Sequence, residues 1–298
     1  MDSVAAGLSA DEARREVKVD FELARITVEA PGATPRATAF MLHGILGSGQ
    51  NWRSFARSLV AAHPEWRVVL PDLRNHGRSA GAAAPHTVAS CAGDLAVLAQ
   101  RFSPRPSVCI GHSYGGKVAL AYARDFGESL REVWALDAPP GAMAAPAAGS
   151  DVPDAVGKVL GALRRVEMPV ARREDLVESL GRFGVPAAVG QWMTTNLEPA
   201  EAGYRWRFDL DAIEAMVAEY LEADLWPVVE SPPPHLRVGL VVAGQGGRYS
   251  AADLERAARA QRGGVEVHEL PTSGHWVHVD APAALAKILG AVLTRALD

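Results

Sequence analysis

Cysteine is nearly absent from this chain of 298 residues: only Cys91 and Cys109 are present. Two thiols make no disulfide framework, which excludes the small stapled secreted scaffolds and makes a reducing compartment the expectation. Cys109 lies inside an apolar run and is expected to be buried; Cys91 falls in a helical segment. Long apolar runs are missing too. No stretch approaches about 18 apolar residues free of charge, so neither a transmembrane helix nor membrane insertion is expected. The segment Met1–Val19 has no apolar core and carries Asp2, Asp11, Glu12 and Glu16, which argues against a secretory or transit segment. The expected compartment is the cytoplasm, with an organelle such as a plastid as the eukaryotic alternative.

An excess of positive charge is also lacking. The 30 Lys and Arg are scattered against 35 Asp and Glu, for a formal net charge of −5, so no nucleic-acid partner is expected. Arg164, Arg165, Arg172 and Arg173 alternate with acids and read as a solvated helical face. The chain has no H-e-x-x-H or paired Cys-x-x-Cys motif, and its nine histidines are dispersed, so no metal site is expected. It has no P-loop, and Gly244–Gly247 lacks the spacing of a dinucleotide fingerprint, so no cofactor is expected.

What is present is an alternation of short apolar runs and helical periods. Val17–Phe21 and Arg25–Glu29 read as strands, followed by the runs Ala37–Leu42, Arg67–Leu70, Ser107–Ile110 and Glu132–Leu136. Between them, Trp52–Ala62, Val88–Phe102 and Tyr114–Phe126 have helical spacing. This order predicts βαβ units around a mostly parallel, doubly wound α/β sheet covered on both faces. Ligands bind such sheets at the carboxyl ends of the strands, where His43-Gly44, Asp72, Ser113 and Asp137 all fall. The alternation stops from Pro139 to Pro234, which holds helical segments and no convincing strand. It resumes with Leu236–Ala243, Ala251–Arg262, Val265–Leu270 and Ala281–Leu297. The expected organisation is a core in two parts, 1–138 and 235–298, interrupted by a helical lid at 139–234. Ala142–Gly149, rich in Ala, Gly and Pro, reads as a mobile loop.

The chemistry centres on Gly111-His112-Ser113-Tyr114-Gly115, a G-x-S-x-G between a strand and a helix. A turn that tight tolerates no side chain at either glycine, and it presents the serine at the top of the sheet. Serine needs a base. His275 follows the last strand and is the candidate, ahead of His278, which is expected at the start of the final helix and turned away. His112 and His76 read as packed, loop-shaping residues.

The acid that orients the base has no carboxylate after the Leu236–Ala243 strand, where Gly244-Gln245-Gly246-Gly247-Arg248 stands. Asp137, after the strand before the lid, is therefore preferred over Asp253; Asp72 is read as shaping its loop and Asp280 as a helix cap. The oxyanion donors are expected from the backbone N–H groups of Ile45 and Tyr114. His43, Gly44, Trp192 and Trp276 are expected to line the substrate pocket, with Trp206, Phe208 and Trp226 mostly in the lid core.

These pieces resemble the α/β-hydrolase superfamily, and within it the small esterases related to the YbfF type and to abhydrolase domain-containing protein eleven. The resemblance is carried by His43-Gly44-Ile45-Leu46-Gly47-Ser48, Asp72-Leu73-Arg74-Asn75-His76-Gly77-Arg78-Ser79, Gly111–Lys117 and Gly274-His275-Trp276-Val277-His278. It runs from about residue 37 to the end and is weakest in the lid. It implies an α/β-hydrolase fold, a serine hydrolase of carboxylic esters or thioesters without cofactor or metal, and an acid before the lid. The partner implied is a small ester or thioester; the pattern fits a monomer and a homodimer equally. Tyr114 departs from the Met or Leu frequent in relatives, and its ring is expected to narrow the pocket. Two rival readings stay open: another triad reaction of the same fold, such as thioester or carbon–carbon cleavage or cofactor-free peroxidation, and a ligand receptor with little turnover.

Overall fold

A computed structural model describes residues 21–143 and 155–297. Seven strands form one sheet in the order β1-β3-β2-β4-β5-β8-β9. They are β1 (Arg25–Val28), β2 (Ala37–Leu42), β3 (Trp66–Pro71), β4 (Pro106–His112), β5 (Glu132–Leu136), β8 (Arg237–Ala243) and β9 (Glu266–Leu270). Only β1 runs antiparallel to its neighbour; the rest pair in parallel. Every residue of β2 and of β5 is buried, as strands covered on both faces must be.

The two faces have separate apolar layers. On one, α1 (Arg53–Ala62) and α11 (Pro282–Arg295) bring Ala56, Leu59, Leu285, Leu289 and Val292 against Met41, Val68 and Ile110. On the other, α2 (Val88–Ala99) and α3 (Tyr114–Phe126) bury Leu95, Leu98, Val118 and Tyr122 against Phe40, Cys109 and Val133. The strand and helix segments read from sequence match these elements closely. The first predicted strand, Val17–Phe21, lies almost wholly outside the described residues, as does all but the start of the Ala142–Gly149 loop.

Between β5 and β8 the chain makes its long excursion. It contains α4 (Ala155–Arg165), α5 (Arg173–Arg182), α6 (Ala187–Met193), α7 (Leu210–Glu222) and α8 (Trp226–Glu230). The expectation of a purely helical excursion is corrected by a hairpin, β6 (Leu197–Ala200) paired with β7 (Gly203–Trp206). Its strands are four residues each and Pro199 interrupts one of them. Strands this short show no alternation to read, and proline is tolerated because the ribbon is all edge. After β8 come α9 (Ala251–Arg262), β9 and the single turn α10 (Val277–Asp280). Both cysteines are free and buried. Among the described residues no helix is long and apolar enough to cross a membrane.

Two buried side chains tie the excursion to the core. Lys117, on α3, donates from Nζ to the carbonyls of Gly141, Tyr220 and Ala223 at 2.6–2.8 Å. Asn75 exchanges two hydrogen bonds with the backbone of Asp209, at 2.8 and 2.9 Å.

Candidate active site

Ser113 sits between β4 and α3 with φ 52° and ψ −121°. A positive φ is strained for serine. The surrounding glycines make the turn possible. A Cβ on Gly111 would lie 1.9 Å from the carbonyl oxygen of Gly115, and one on Gly115 would lie 2.5 Å from that of His43. The strained turn leaves Ser113 at the N-terminus of α3, at the carboxyl end of the sheet.

Asp137, Ser113 and His275 are brought together from three different loops. His275 Nδ1–H donates to Asp137 Oδ2 at 2.7 Å, and Ser113 Oγ–H donates to His275 Nε2 at 3.1 Å. An ionised carboxylate only accepts, so it sets the tautomer that leaves Nε2 free as an acceptor. Burial pushes His275 below the usual imidazole range, with the Arg248 cation adding to the effect; burial pushes Asp137 up to about 6. Both shifts have the same leading cause, the exclusion of water from the pair.

Asp137 reaches the histidine through a left-handed backbone, φ 45°. Its N–H donates to Val241 O at 2.7 Å, and its Oδ1 accepts from Ala243 N–H at 3.1 Å. The carboxylate thus leaves β5 and occupies the loop after β8. Gly246 makes the space: a Cβ there would lie 2.5 Å from Asp137 Oδ2.

The loop after β2 is held by two histidines. Leu73 N–H donates to His43 Nε2 at 2.9 Å, so His43 Nδ1–H donates to Gly44 O at 2.8 Å. Leu46 N–H donates to His76 Nε2 at 3.0 Å, and His76 Nδ1–H donates to Arg74 O at 2.9 Å. Each histidine therefore fastens the other's loop, with the rings 5.1 Å apart. Burial lowers both, His76 to about 3, so both stay neutral acceptors. With Gly44 O also accepting from Gly47 N–H at 3.1 Å, the Ile45 N–H faces the opposite way across the trans peptide. Among the described residues, neither Ile45 N–H nor Tyr114 N–H has a protein acceptor. Asn196, from the excursion, donates to Leu46 O at 2.9 Å and braces the same loop.

A cavity of about 390 Å³ opens over Ser113, and His43, Gly44, Ile45, Trp192, Trp276 and His275 all line it. Trp192 and Trp276 pack with ring centroids 5.7 Å apart. His43 contributes only wall, since both ring nitrogens are committed to backbone.

Three sequence expectations need correction. The Tyr114 ring does not narrow the cavity. It is buried behind the serine, with its hydroxyl 3.6 Å from Cys91 Sγ and its ring against Tyr220, because a side chain at the first helical position points back into the core. His278 is not turned away: α10 precedes the final helix, and His278 lines the cavity while packing on Trp52 with ring centroids 4.4 Å apart. Asp280 does not cap α11, whose N-cap is Ala281 with no side-chain bond. The other minor assignments hold. His112 is packed and donates from Nε2 to His275 O at 2.7 Å, and Asp72 binds Gly49 N–H and Arg78 N–H. Sequence reasoning missed Arg248 and Asn196 as parts of this site.

A family model described as the alpha/beta hydrolase fold matches residues 40–282. The chain belongs to this family. The resemblance to the abhydrolase type is borne out by mouse (Mus musculus) sn-1-specific diacylglycerol lipase ABHD11, 27% identical over 259 residues, with 84% of this chain and 78% of that protein covered. Lipase LipV of Mycobacterium tuberculosis is 27% identical over 263 residues, covering 88% of this chain and 95% of LipV. Among solved structures, a marine microorganism esterase superposes with a TM-score of 0.76 at 24% identity, covering 90% of this chain and 98% of that one. With these relatives and a serine at its elbow, the α/β-hydrolase described here is a serine hydrolase of the fold.

Proposed function

We propose that this hydrolase cleaves carboxylic esters of small to medium acyl chain through an acyl-enzyme on Ser113. The reading is carried by the continuous chain of hydrogen bonds from Asp137 Oδ2 through His275 to Ser113 Oγ, at 2.7 and 3.1 Å. Ser113 Oγ attacks the carbonyl carbon while its proton passes to His275 Nε2. The ionised Asp137 stabilises the imidazolium, and the unpaired N–H groups of Ile45 and Tyr114 receive the oxyanion. Collapse expels the alcohol, which takes the proton from His275. Water, deprotonated by His275, then attacks the acyl-enzyme and releases the acid. The cavity volume of about 390 Å³ and its valine and tryptophan walls suit a short apolar acyl group. The excursion between β5 and β8, which supplies Val156, Val159, Val189 and Trp192 to the cavity wall, is read as its lid.

The test is labelling by a fluorophosphonate probe of wild type and Ser113→Ala, beside turnover of p-nitrophenyl acetate, butyrate and octanoate. Labelling and turnover that vanish together in the variant are expected. Folded wild-type protein that takes no label would overturn the reading and favour a ligand receptor.

A further inference from the structure

The wall of the cavity contains one residue with a permanent charge, Arg248. Among the described residues the rest of the lining is apolar, glycine, the neutral polar side chains of Ser113 and Asn51, or histidine that burial holds neutral. Arg248 is half-buried, and among the described residues it makes no hydrogen bond or ion pair, although its charge is near enough to Asp137 to favour the ionised carboxylate. A half-buried guanidinium with no hydrogen-bonded anion of its own keeps its donors available to an anion that a ligand supplies.

Its position is fixed from both sides. Upstream, Gly246 is tucked against the Asp137 carboxylate, and Gly247 turns the chain with φ 62°. Downstream, Tyr249 Oη–H donates to Ala138 O at 3.2 Å. The loop after β8 is thus fastened to the segment that carries Asp137, and it delivers Arg248 to the same cavity as Ser113 and His275.

We propose that Arg248 is a specificity-determining residue that binds a carboxylate carried by the substrate away from its scissile bond, so that the preferred substrates are ester acids. The inference rests on the ester-hydrolase reading above. Arg248 and a carboxylate form a charge-assisted, two-pronged pair. Pairing has a second consequence. The Arg248 cation disfavours the imidazolium of His275, the form that the base takes when Ser113 gives up its proton. A substrate carboxylate on Arg248 offsets that repulsion and also the attraction by which Arg248 favours the ionised Asp137, so the clearest effect of the pairing is on binding.

The carboxylate has two possible places, on the acyl or on the alcohol side of the ester, and three substrates separate them. Ethyl butyrate is neutral, monoethyl glutarate places the acid on the acyl side, and O-butyryl glycolate places it on the alcohol side. Hydrolysis is followed by titration of released acid, for wild type, Arg248→Gln and Arg248→Lys. Wild type is expected to favour one of the two acids over ethyl butyrate by about ten-fold or more in kcat/KM. In Arg248→Gln that ratio should fall to about one or below, and Arg248→Lys should restore part of it, as a point charge without the fork. A wild-type ratio near one for both acids, or a preference that survives Arg248→Gln, overturns the proposal.

Should none of the three be hydrolysed, the ester reading fails, and Arg248 is still tested by binding. Quenching of Trp192 and Trp276 fluorescence by adipate and by hexanoate reads the same pocket. Tighter binding of adipate that is lost in Arg248→Gln supports the carboxylate site; equal binding of the two acids by wild type refutes it.

Discussion

Asp137 and Gly246 share one space: the carboxylate of the first, from the end of β5, fills the position that a side chain on the second would take. A Cβ on Gly246 would lie 2.5 Å from Asp137 Oδ2 and 2.9 Å from Ala243 Cβ. The glycine-rich loop after β8 is therefore the complement of an acid that arrives from β5. Gly246→Ala is expected to push the carboxylate off His275 Nδ1 and lower kcat by about 10²-fold or more while leaving Ser113, His275 and Asp137 in the sequence. The measurement is p-nitrophenyl butyrate turnover beside the melting temperature, with Asp137→Asn as the reference. Turnover close to wild type in a folded Gly246→Ala protein would remove Asp137 from the mechanism.

The pH profile follows from the same pair. His275 is faced by Ser113, Asp137, His112, His278 and Arg248. The working state has a neutral His275 and an ionised Asp137. Burial lowers the first and raises the second to about 6, so the neutral imidazole persists into mild acid and the carboxylate is the first to be lost. Protonation removes the group that orients the base, so activity declines as pH falls. kcat/KM is expected to be flat above about pH 7 and to fall below an apparent pKa near 6 that belongs to the pair. Rate measurements from pH 4.5 to 9 check this; a profile that rises toward acid would contradict it.

Stability should fall in acid for a related reason. His43, His76, His112, His275 and His278 are all held below the ordinary imidazole range by burial. Well above pH 6.5, at about pH 7.5 and higher, neither folded nor unfolded chain protonates them, and their contribution is intact. As pH falls below that value the unfolded chain takes up protons that the folded chain refuses, and stability is lost, by about 1 kcal/mol at pH 5.5 for each of His76, His275 and His278. Asp137 acts oppositely, since its folded pKa lies above the unfolded value, but it is one group against five. Urea titrations at pH 7.5 and 5.5 should show the midpoint falling with an unchanged slope. His76→Gln should flatten part of this dependence, because it removes one of the refused protons.

Most of the sheet was legible because its strands are continuous apolar runs between helical periods. Ala37–Leu42 and Glu132–Leu136 could be bounded to the residue. The serine and histidine were legible because glycines mark their turns. Asp137 was legible mainly by default, through the missing carboxylate after β8. The physical reason, an acid crossing into a loop emptied for it, needs three dimensions. The hairpin of Leu197–Ala200 and Gly203–Trp206 was hidden by its length. The mutual fastening of His43 and His76 was hidden because it joins backbone groups to side chains 30 residues away. Arg248 stood in view, but a lone arginine in a glycine run says nothing until the cavity around it is known.

Lys117 supplies the last prediction. Its ammonium is fully buried and donates to Gly141 O, just after β5, and to Tyr220 O and Ala223 O, at the end of α7. One cation on α3 thus satisfies carbonyls at both ends of the excursion, two of them at a helix C-terminus where positive charge is favourable. Its Nζ also lies 4.5 Å from the centre of the Tyr220 ring. Lys117→Met keeps the length and apolar stem of the side chain while leaving three carbonyls without their donor. The cost expected is about 2–5 kcal/mol. Because the lost bonds all join the excursion to the core, the loss should be uneven. Hydrogen exchange is expected to rise in Leu210–Glu222 and near Gly141 well before it rises in β4 and β5. Equal acceleration across sheet and excursion would show that Lys117 serves general packing, and that the excursion is held by its apolar contacts alone.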